Sequence, residues 1–193
     1  MKEIEGIFNN FPKTETDRFR LREVETEDNK EIFDIYFYNE TLRYQNMEHM
    51  KELDEAEEYV NFISTGYQNK VFIRGGITEK NNRVIGLIVL HHYWKEKSKG
   101  KYRIYILNEG FWKQGVMTET VGTVIDYIFN EFNINRIEAE IHPENIASIR
   151  LCERLGFKRD GLKEECIFNN SKNKFEDRLI YGIVRRNYHE VKN

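Results

Sequence analysis

The stretch that most limits how this chain can fold lies between residues 102 and 132. Tyr102 to Leu107 reads as a strand, the turn Asn108-Glu109-Gly110 ends it, and a helical pattern opens around Gly115. Met117, Val121, Val124, Ile125, Ile128 and Phe132 recur at helical spacing and make one apolar stripe. Glu119, Thr123, Asp126 and Asn130 take the other side. Strand, glycine-bearing loop and helix start together suit an anion. The first amides of a helix lack partners inside it, and the dipole puts partial positive charge there. Gly115 lets a ligand approach backbone that a Cβ would obstruct. The amides of Val116, Met117, Thr118 and Glu119 are therefore the predicted donors, and a phosphate or diphosphate is the natural guest. The loop is not of the G-x-x-x-x-G-K-[ST] kind, because Lys113 precedes the glycine.

A second unit follows in residues 135 to 157, NRIEAEIHPENIASIRLCERLGF. Arg136 to Ile141 reads as a strand with Ile137, Ala139 and Ile141 on one face and Glu138, Glu140 and His142 on the other. Pro143 ends it, a helix opens at Asn145, and Gly156 stops that helix as a C′ glycine. Upstream, Arg18 to Val24 is a short strand. Thr26-Glu27-Asp28 starts a helix carrying Ile32, Phe33, Ile35, Tyr36 and Phe37, and a second helix runs from Leu53 through Ile63. Strands at Lys70 to Gly75 and Arg83 to His91 are joined by a turn at 79–82, and the second is apolar enough for burial on both faces. Lys158 to Phe168 and Arg178 to Arg185 form a closing antiparallel pair with a polar tip at 169–174. The expectation is a single mixed α/β domain over residues 14–188. An extension, 1–13, lies across the surface or frays, and 189–193 is a tail. The central sheet is largely antiparallel, with flanking helices and one crossover helix between the strands at 102–107 and 136–141.

Composition narrows the function classes. A net charge of -3 with both signs interspersed offers no single-sign field for nucleic acid. No run reaches the roughly 18 apolar residues a membrane span requires. Two cysteines, Cys152 and Cys166, imply a reducing compartment, with cytoplasm the default. They lack C-x-x-C spacing and partner histidines, and His91 and His92 point to opposite faces of a strand, so no metal site is expected.

The two motif stretches resemble the acyl-CoA-binding core of the GNAT superfamily of N-acetyltransferases, nearest to the bacterial branch of ribosomal-protein alanine N-acetyltransferases. In that branch the diphosphate loop commonly reads W-G-K-G-x-x-T-E-A. Here it is Trp112-Lys113-Gln114-Gly115-Val116-Met117-Thr118-Glu119-Thr120. The N-x-x-S and L-G-F signatures stand as Asn145, Ser148 and Leu155-Gly156-Phe157, and the likeness runs from Thr14 to Arg185. It implies a GNAT-like fold and acetyl-CoA as cosubstrate, bound by the loop residues Lys113 to Glu119 and by Asn145 and Ser148. It also implies direct acetyl transfer to an amine without an acyl-enzyme, the thioester carbonyl being polarised by backbone donors among Tyr105, Ile106 and Leu107. The family strand often reads E-I-G-Y-W, and Ile104 takes the glycine's place.

A protonated amine cannot attack, so a general base is expected. Glu140 is the first candidate, at a position where some relatives carry a catalytic glutamate, with Glu138 and His142 as runners-up. Ser148 is the candidate to bind or protonate near the thiol. Cys152, where some relatives carry an acidic tyrosine, reads as a buried hydrophobe. Lys95, Lys97, Lys99 and Lys101 read as a solvated hairpin, or as one lysine reaching the ribose phosphate of CoA or an acidic acceptor. The implied acceptor is a protein or peptide α-amine; small amines (polyamines, antibiotics) are the rival within the class, and a non-catalytic acyl-CoA-binding module the rival outside it. Clustered acids in the pocket favour a polyamine, and an open groove between the 39–50 loop and the closing hairpin favours a polypeptide. Either a monomer or a homodimer fits.

Overall fold

Short apolar strands need cover on their apolar faces, and here helices supply it on both. The structure, a computed structural model, describes residues 4–38, 40–44, 47–91, 99–107 and 109–192. Its strands are β1 (Thr14–Glu15), β2 (Phe19–Glu23), β3 (Phe72–Glu79), β4 (Val84–His91), β5 (Lys99–Leu107), β6 (Arg136–Ile141), β7 (Lys158–Asn169) and β8 (Lys174–Val184). Its helices are α1 (Asn29–Tyr38), α2 (Leu53–Gln68), α3 (Val116–Glu131), α4 (Ile146–Arg154) and α5 (Arg185–Lys192). Among the described residues the strands form one sheet in the order β1-β2-β3-β4-β5-β6-β8-β7. Every neighbouring pair is antiparallel except β5 and β6, which are parallel and joined by the crossover through α3.

The mixed α/β reading holds, with shifted boundaries. β3 starts two residues later than expected and runs on to Glu79, because Gly75-Gly76-Ile77 pairs with Glu23-Arg22-Leu21 of β2 instead of ending the strand. β8 begins at Lys174, pairing back to Asn169, so the predicted polar tip is shorter than read. α5 is an element the sequence reading missed: it folds where a strand end and a tail were expected, and its Tyr188 packs on Phe129 at 5.4 Å between ring centroids. The N-terminal extension does not fray over its described part. Ile7, Phe8 and Phe11 are buried in the main core. The lysines at 95 and 97, and His92, lie outside the described residues.

Two apolar clusters flank the sheet. One joins the N-terminal residues, β-strand faces, α3, α4 and Tyr188; Val116, Val121, Val124, Ile125, Ile128 and Phe129 of α3 are all buried in it. The other seats Ile32, Ile35 and Tyr36 of α1 and Ala56, Val60 and Ile63 of α2 over Val84 and Leu87 of β4, which is indeed buried on both faces. Arg74 of β3 pins the second layer, donating to Tyr59 Oη at 2.5 Å and stacking over the rings of Tyr59, Phe62 and Phe72. At the far end of α3, the Arg185 guanidinium donates to Ile134 O at 2.8 Å and to Phe132 O, a cation at a helix C-terminus.

One feature of the sheet is not apolar packing. β5 and β6 pair over only three positions, Lys99 with Arg136, Gly100 with Ile137 and Lys101 with Glu138. Beyond these the two strands part toward their C-terminal ends. The opening is a V whose facing edges have no ladder partner among the described residues.

Cys152 is buried, and burial pushes its thiol up to about 12, whereas Cys166 is exposed. A disulfide-exchange reagent such as DTNB is therefore expected to titrate one thiol in the native protein and two in denaturant; two native thiols would contradict the packing of α4.

Candidate active site

The strands on either side of the V each hand over to a helix at its open end: β5 through the 108–115 loop to α3, and β6 through 142–145 to α4. Gly115 is the N-cap of α3 at φ 77°, ψ 1°, a left-handed conformation that glycine adopts without penalty. Lys113, two residues earlier, holds φ 61° and has no such exemption. It stands where the resembling loops commonly carry glycine. The amides of Val116, Met117 and Thr118 have no acceptor among the described hydrogen bonds. Glu119 is a correction to the sequence reading. Its amide donates to Gly115 O at 3.0 Å, because an N-cap carbonyl already takes the first intrahelical bond, so three donors remain where four were predicted.

The first turn of α3 is held from two sides. Arg18, just before β2, donates to Glu119 Oε2 through Nε at 2.8 Å and Nη2 at 2.5 Å, and to Gln114 O through both terminal nitrogens at 3.2 Å. Burial pushes the Glu119 carboxyl up, but hydrogen bonds from Thr16 and Arg18 with the Arg18 charge together outweigh it and hold the group below its ordinary value. From α4, Arg154 Nη1 reaches Thr118 Oγ1 at 3.5 Å. The Gln114 side chain braces the loop by donating to Gly110 O at 2.8 Å. Val116 is buried and Met117 packs against the core, so both offer backbone only.

On β5, Leu87 of β4 pairs with Ile106 and the next residue, Ile88, pairs with Ile104, which leaves Tyr105 as the extra residue of a bulge. A bulge leaves one residue out of the ladder and re-aims the backbone. It falls within the predicted run Tyr105, Ile106, Leu107, on the β4 side of β5 and in the part of the strand that has no ladder with β6.

On α4, Asn145 accepts the Ser148 amide at 3.1 Å and so caps the helix; none of the described bonds uses its Nδ2. Ser148 is half-buried, and no partner for its hydroxyl occurs among the described residues. Asn145, Ser148 and Cys152 do share a face, with Cys152 turned into the core.

The opposite face of β6 carries carboxylates that already have cations. Glu138 accepts from Arg136 Nε at 2.9 Å, and Arg136 also engages Asp160. Glu140 accepts from Lys163 Nζ at 2.7 Å with its side chain 10% exposed. His142 is buried. Its Nδ1 accepts the Glu144 amide at 3.1 Å while Nε2 faces Glu176 Oε2 at 3.4 Å. Burial lowers its pKa against the pull of Glu176, so the imidazole is neutral with its Nδ1 lone pair engaged, a poor base. Glu176 is almost fully enclosed. Burial raises its pKa, but hydrogen bonds from Lys172 (2.7 Å) and Asn169, with the charge of Lys172, hold it at about 2. Arg178 lies 3.7 Å from the same carboxylate and donates to Tyr44 O at 3.5 Å, tying the 40–44 segment to β8. Sequence reading missed Arg18, Lys163, Glu176 and Arg178. Arg18 and Lys163 meet their partners on other elements, Glu176 meets Lys172 across the hairpin tip and Arg178 along β8, and a lone Arg or Glu in a charged chain gives no local signal.

Lys113 offers a direct test of the loop. Left-handed backbone costs a non-glycine residue roughly 1–2 kcal/mol, and glycine's extra freedom costs about 0.5–1 kcal/mol. Lys113→Gly is thus expected to stabilise by about 0.5–1 kcal/mol, or roughly 2 °C in melting temperature by scanning calorimetry. A fall in melting temperature would show that φ 61° is not the loop's conformation.

Comparison with known proteins agrees with this geometry. A family profile described as acetyltransferase (GNAT) domain matches residues 18–158. The uncharacterized N-acetyltransferase YoaA of Bacillus subtilis (strain 168) is 30% identical over 176 residues, covering 91% of this chain and 98% of its own length. In fold, the chain is similar to spermidine N-acetyltransferase from Vibrio cholerae, solved with CoA and spermine (TM-score 0.74, 21% identity, 90% of this chain and 99% of that one). It is likewise similar to ribosomal-protein-S5-alanine acetyltransferase from Vibrio fischeri (TM-score 0.72, 18% identity, 91% and 98%). Matching profile and full-length relative lead to one conclusion: the chain belongs to the GNAT family of N-acetyltransferases.

Proposed function

We propose that the protein transfers the acetyl group of acetyl-CoA directly to a primary amine, and that the amine is the N-terminal α-amine of a protein or peptide. The observation that carries the reading is the three-pair contact between β5 and β6. An extended chain bearing amides, such as the pantetheine arm of CoA, satisfies such edges as an added strand would. At the open end the amides of Val116, Met117 and Thr118 then receive the diphosphate, with Lys113 and Gln114 lining the approach. Asn145 Nδ2 serves the pantetheine arm.

In this arrangement backbone donors at the Tyr105 bulge, with Ile106 and Leu107, stabilise the oxyanion that forms as the amine nitrogen attacks the thioester carbonyl. The C–S bond then breaks, the attacking nitrogen sheds its remaining extra proton, and the leaving thiolate takes that proton by way of the Ser148 hydroxyl. Cys152 is unsuited to that role, since a buried thiol at about 12 gives up its proton reluctantly. Glu140 takes the proton from the incoming ammonium through water, which breaks its ion pair with Lys163. Glu138 is tied to Arg136, and His142 has its Nδ1 lone pair engaged, so Glu140 stays the first candidate. Charge supports the peptide reading over the polyamine one. Glu138, Glu140 and Glu176 all have protein cations, so a polyamine would have to displace them. A peptide terminus needs only one neutral nitrogen. A cytoplasmic location fits the reducing chemistry of two unpaired thiols.

Release of CoA over a panel of N-terminal peptides and polyamines tests the reading. Turnover is expected with peptides above polyamines, and Glu140→Gln is expected to lower kcat about 100-fold with little change in KM. Preference for spermidine would move the acceptor to polyamines. Tight CoA binding with no turnover on any acceptor would make the protein a binding module, and an unchanged pH–rate profile in Glu140→Gln would remove that residue from the chemistry.

A further inference from the structure

Arg18 is far from the diphosphate loop in sequence, and nothing in the loop motif requires it. Yet one guanidinium joins the two residues on either side of the critical turn: Gln114 through its carbonyl and Glu119 through its carboxylate. Its Nη2 also lies 3.7 Å from where a Cβ on Gly115 would stand, and its Cζ sits over the Phe19 ring, 4.8 Å from the centroid.

The pairing addresses a conflict built into α3. A carboxylate in the first turn of a helix is favoured by the dipole, so Glu119 competes with an incoming anion for the same positive end and repels it. Arg18 draws the Glu119 carboxylate aside and cancels its charge, while the Gln114 bonds hold the loop entering Gly115. As a contribution to folding this is a small term. Both side chains are partly exposed, at 49% and 26%, and such ion pairs are worth little to stability. Its consequence falls on the ligand.

We infer that Arg18 is a positioning residue for the CoA diphosphate, acting by neutralising Glu119 and fixing the Gln114–Gly115 turn. This rests on the reading of the α3 N-terminus as the diphosphate site.

Titration calorimetry with CoA and with dephospho-CoA, on the full chain, tests it. Arg18→Ala is expected to weaken CoA about tenfold, with the melting temperature moving by no more than about 3 °C. Dephospho-CoA, which keeps the diphosphate and lacks the 3′-phosphate, should lose the same factor. Arg18→Lys keeps the charge without the planar fork and should recover part of the affinity. In a Glu119→Gln background the Arg18→Ala penalty should shrink, since the charge to be cancelled is gone. CoA affinity within twofold of the parent in Arg18→Ala, an effect confined to CoA and lost with dephospho-CoA, or an undiminished penalty in Glu119→Gln would each overturn the inference. Those outcomes require a parent that binds CoA; a parent that binds none overturns the diphosphate reading itself and this inference with it.

Discussion

A strand edge is a row of donors and acceptors that must be paired or wetted, and the parting of β5 from β6 leaves two such rows facing each other inside one sheet. Nothing in the described chain closes that gap after Lys101 and Glu138. A sheet interior normally satisfies nearly all of its backbone groups. Here the shortfall falls where α3 presents its uncommitted first amides and where α4 begins at the Asn145 cap. An unfilled ladder and two helix starts converge on one opening, and the arrangement makes physical sense when a long, amide-bearing, anionic molecule occupies it.

Burial puts the parts in place and polar contacts trim them. Each enclosed Val, Ile or Phe along α3 contributes about 1.5–3 kcal/mol, far above the ~0–1 kcal/mol of an exposed ion pair such as Arg18 with Glu119. The apolar stripe therefore decides where α3 lies, while Arg185 at one end and Arg18 at the other adjust its termini. The same division holds across the sheet. Ile137, Ala139 and Ile141 anchor β6 in the core, and its other face is free to carry Glu138 and Glu140 with their cations.

Local signals were legible in the sequence and distant ones were not. The spacing of Val121, Val124, Ile125 and Ile128 identified α3, Gly115 marked its start, and Asn145 three residues before Ser148 announced a cap, because each is a rule about neighbours along the chain. The three-residue contact of β5 and β6 and the Tyr105 bulge are facts of register between strands, and no periodicity reports register. Lys113 illustrates a middle case: its place in the motif was visible, while its left-handed backbone was not, since lysine rarely signals φ 61°. Of the four amides that the motif suggests, one is taken by the Gly115 carbonyl, a partner that residue types alone do not reveal. Tyr188 and α5 were missed for want of a hydrophobic period in a segment as charged as Arg185–Lys192.

The central claim is that the amides following Gly115 clasp the diphosphate of CoA. Amide chemical shifts on the isotopically labelled protein test it most directly, by titration with CoA and separately with pantetheine, which lacks the diphosphate. The account predicts large perturbations at Val116, Met117 and Thr118 with CoA that are absent with pantetheine. Saturable CoA binding that leaves those three amides unmoved would contradict it.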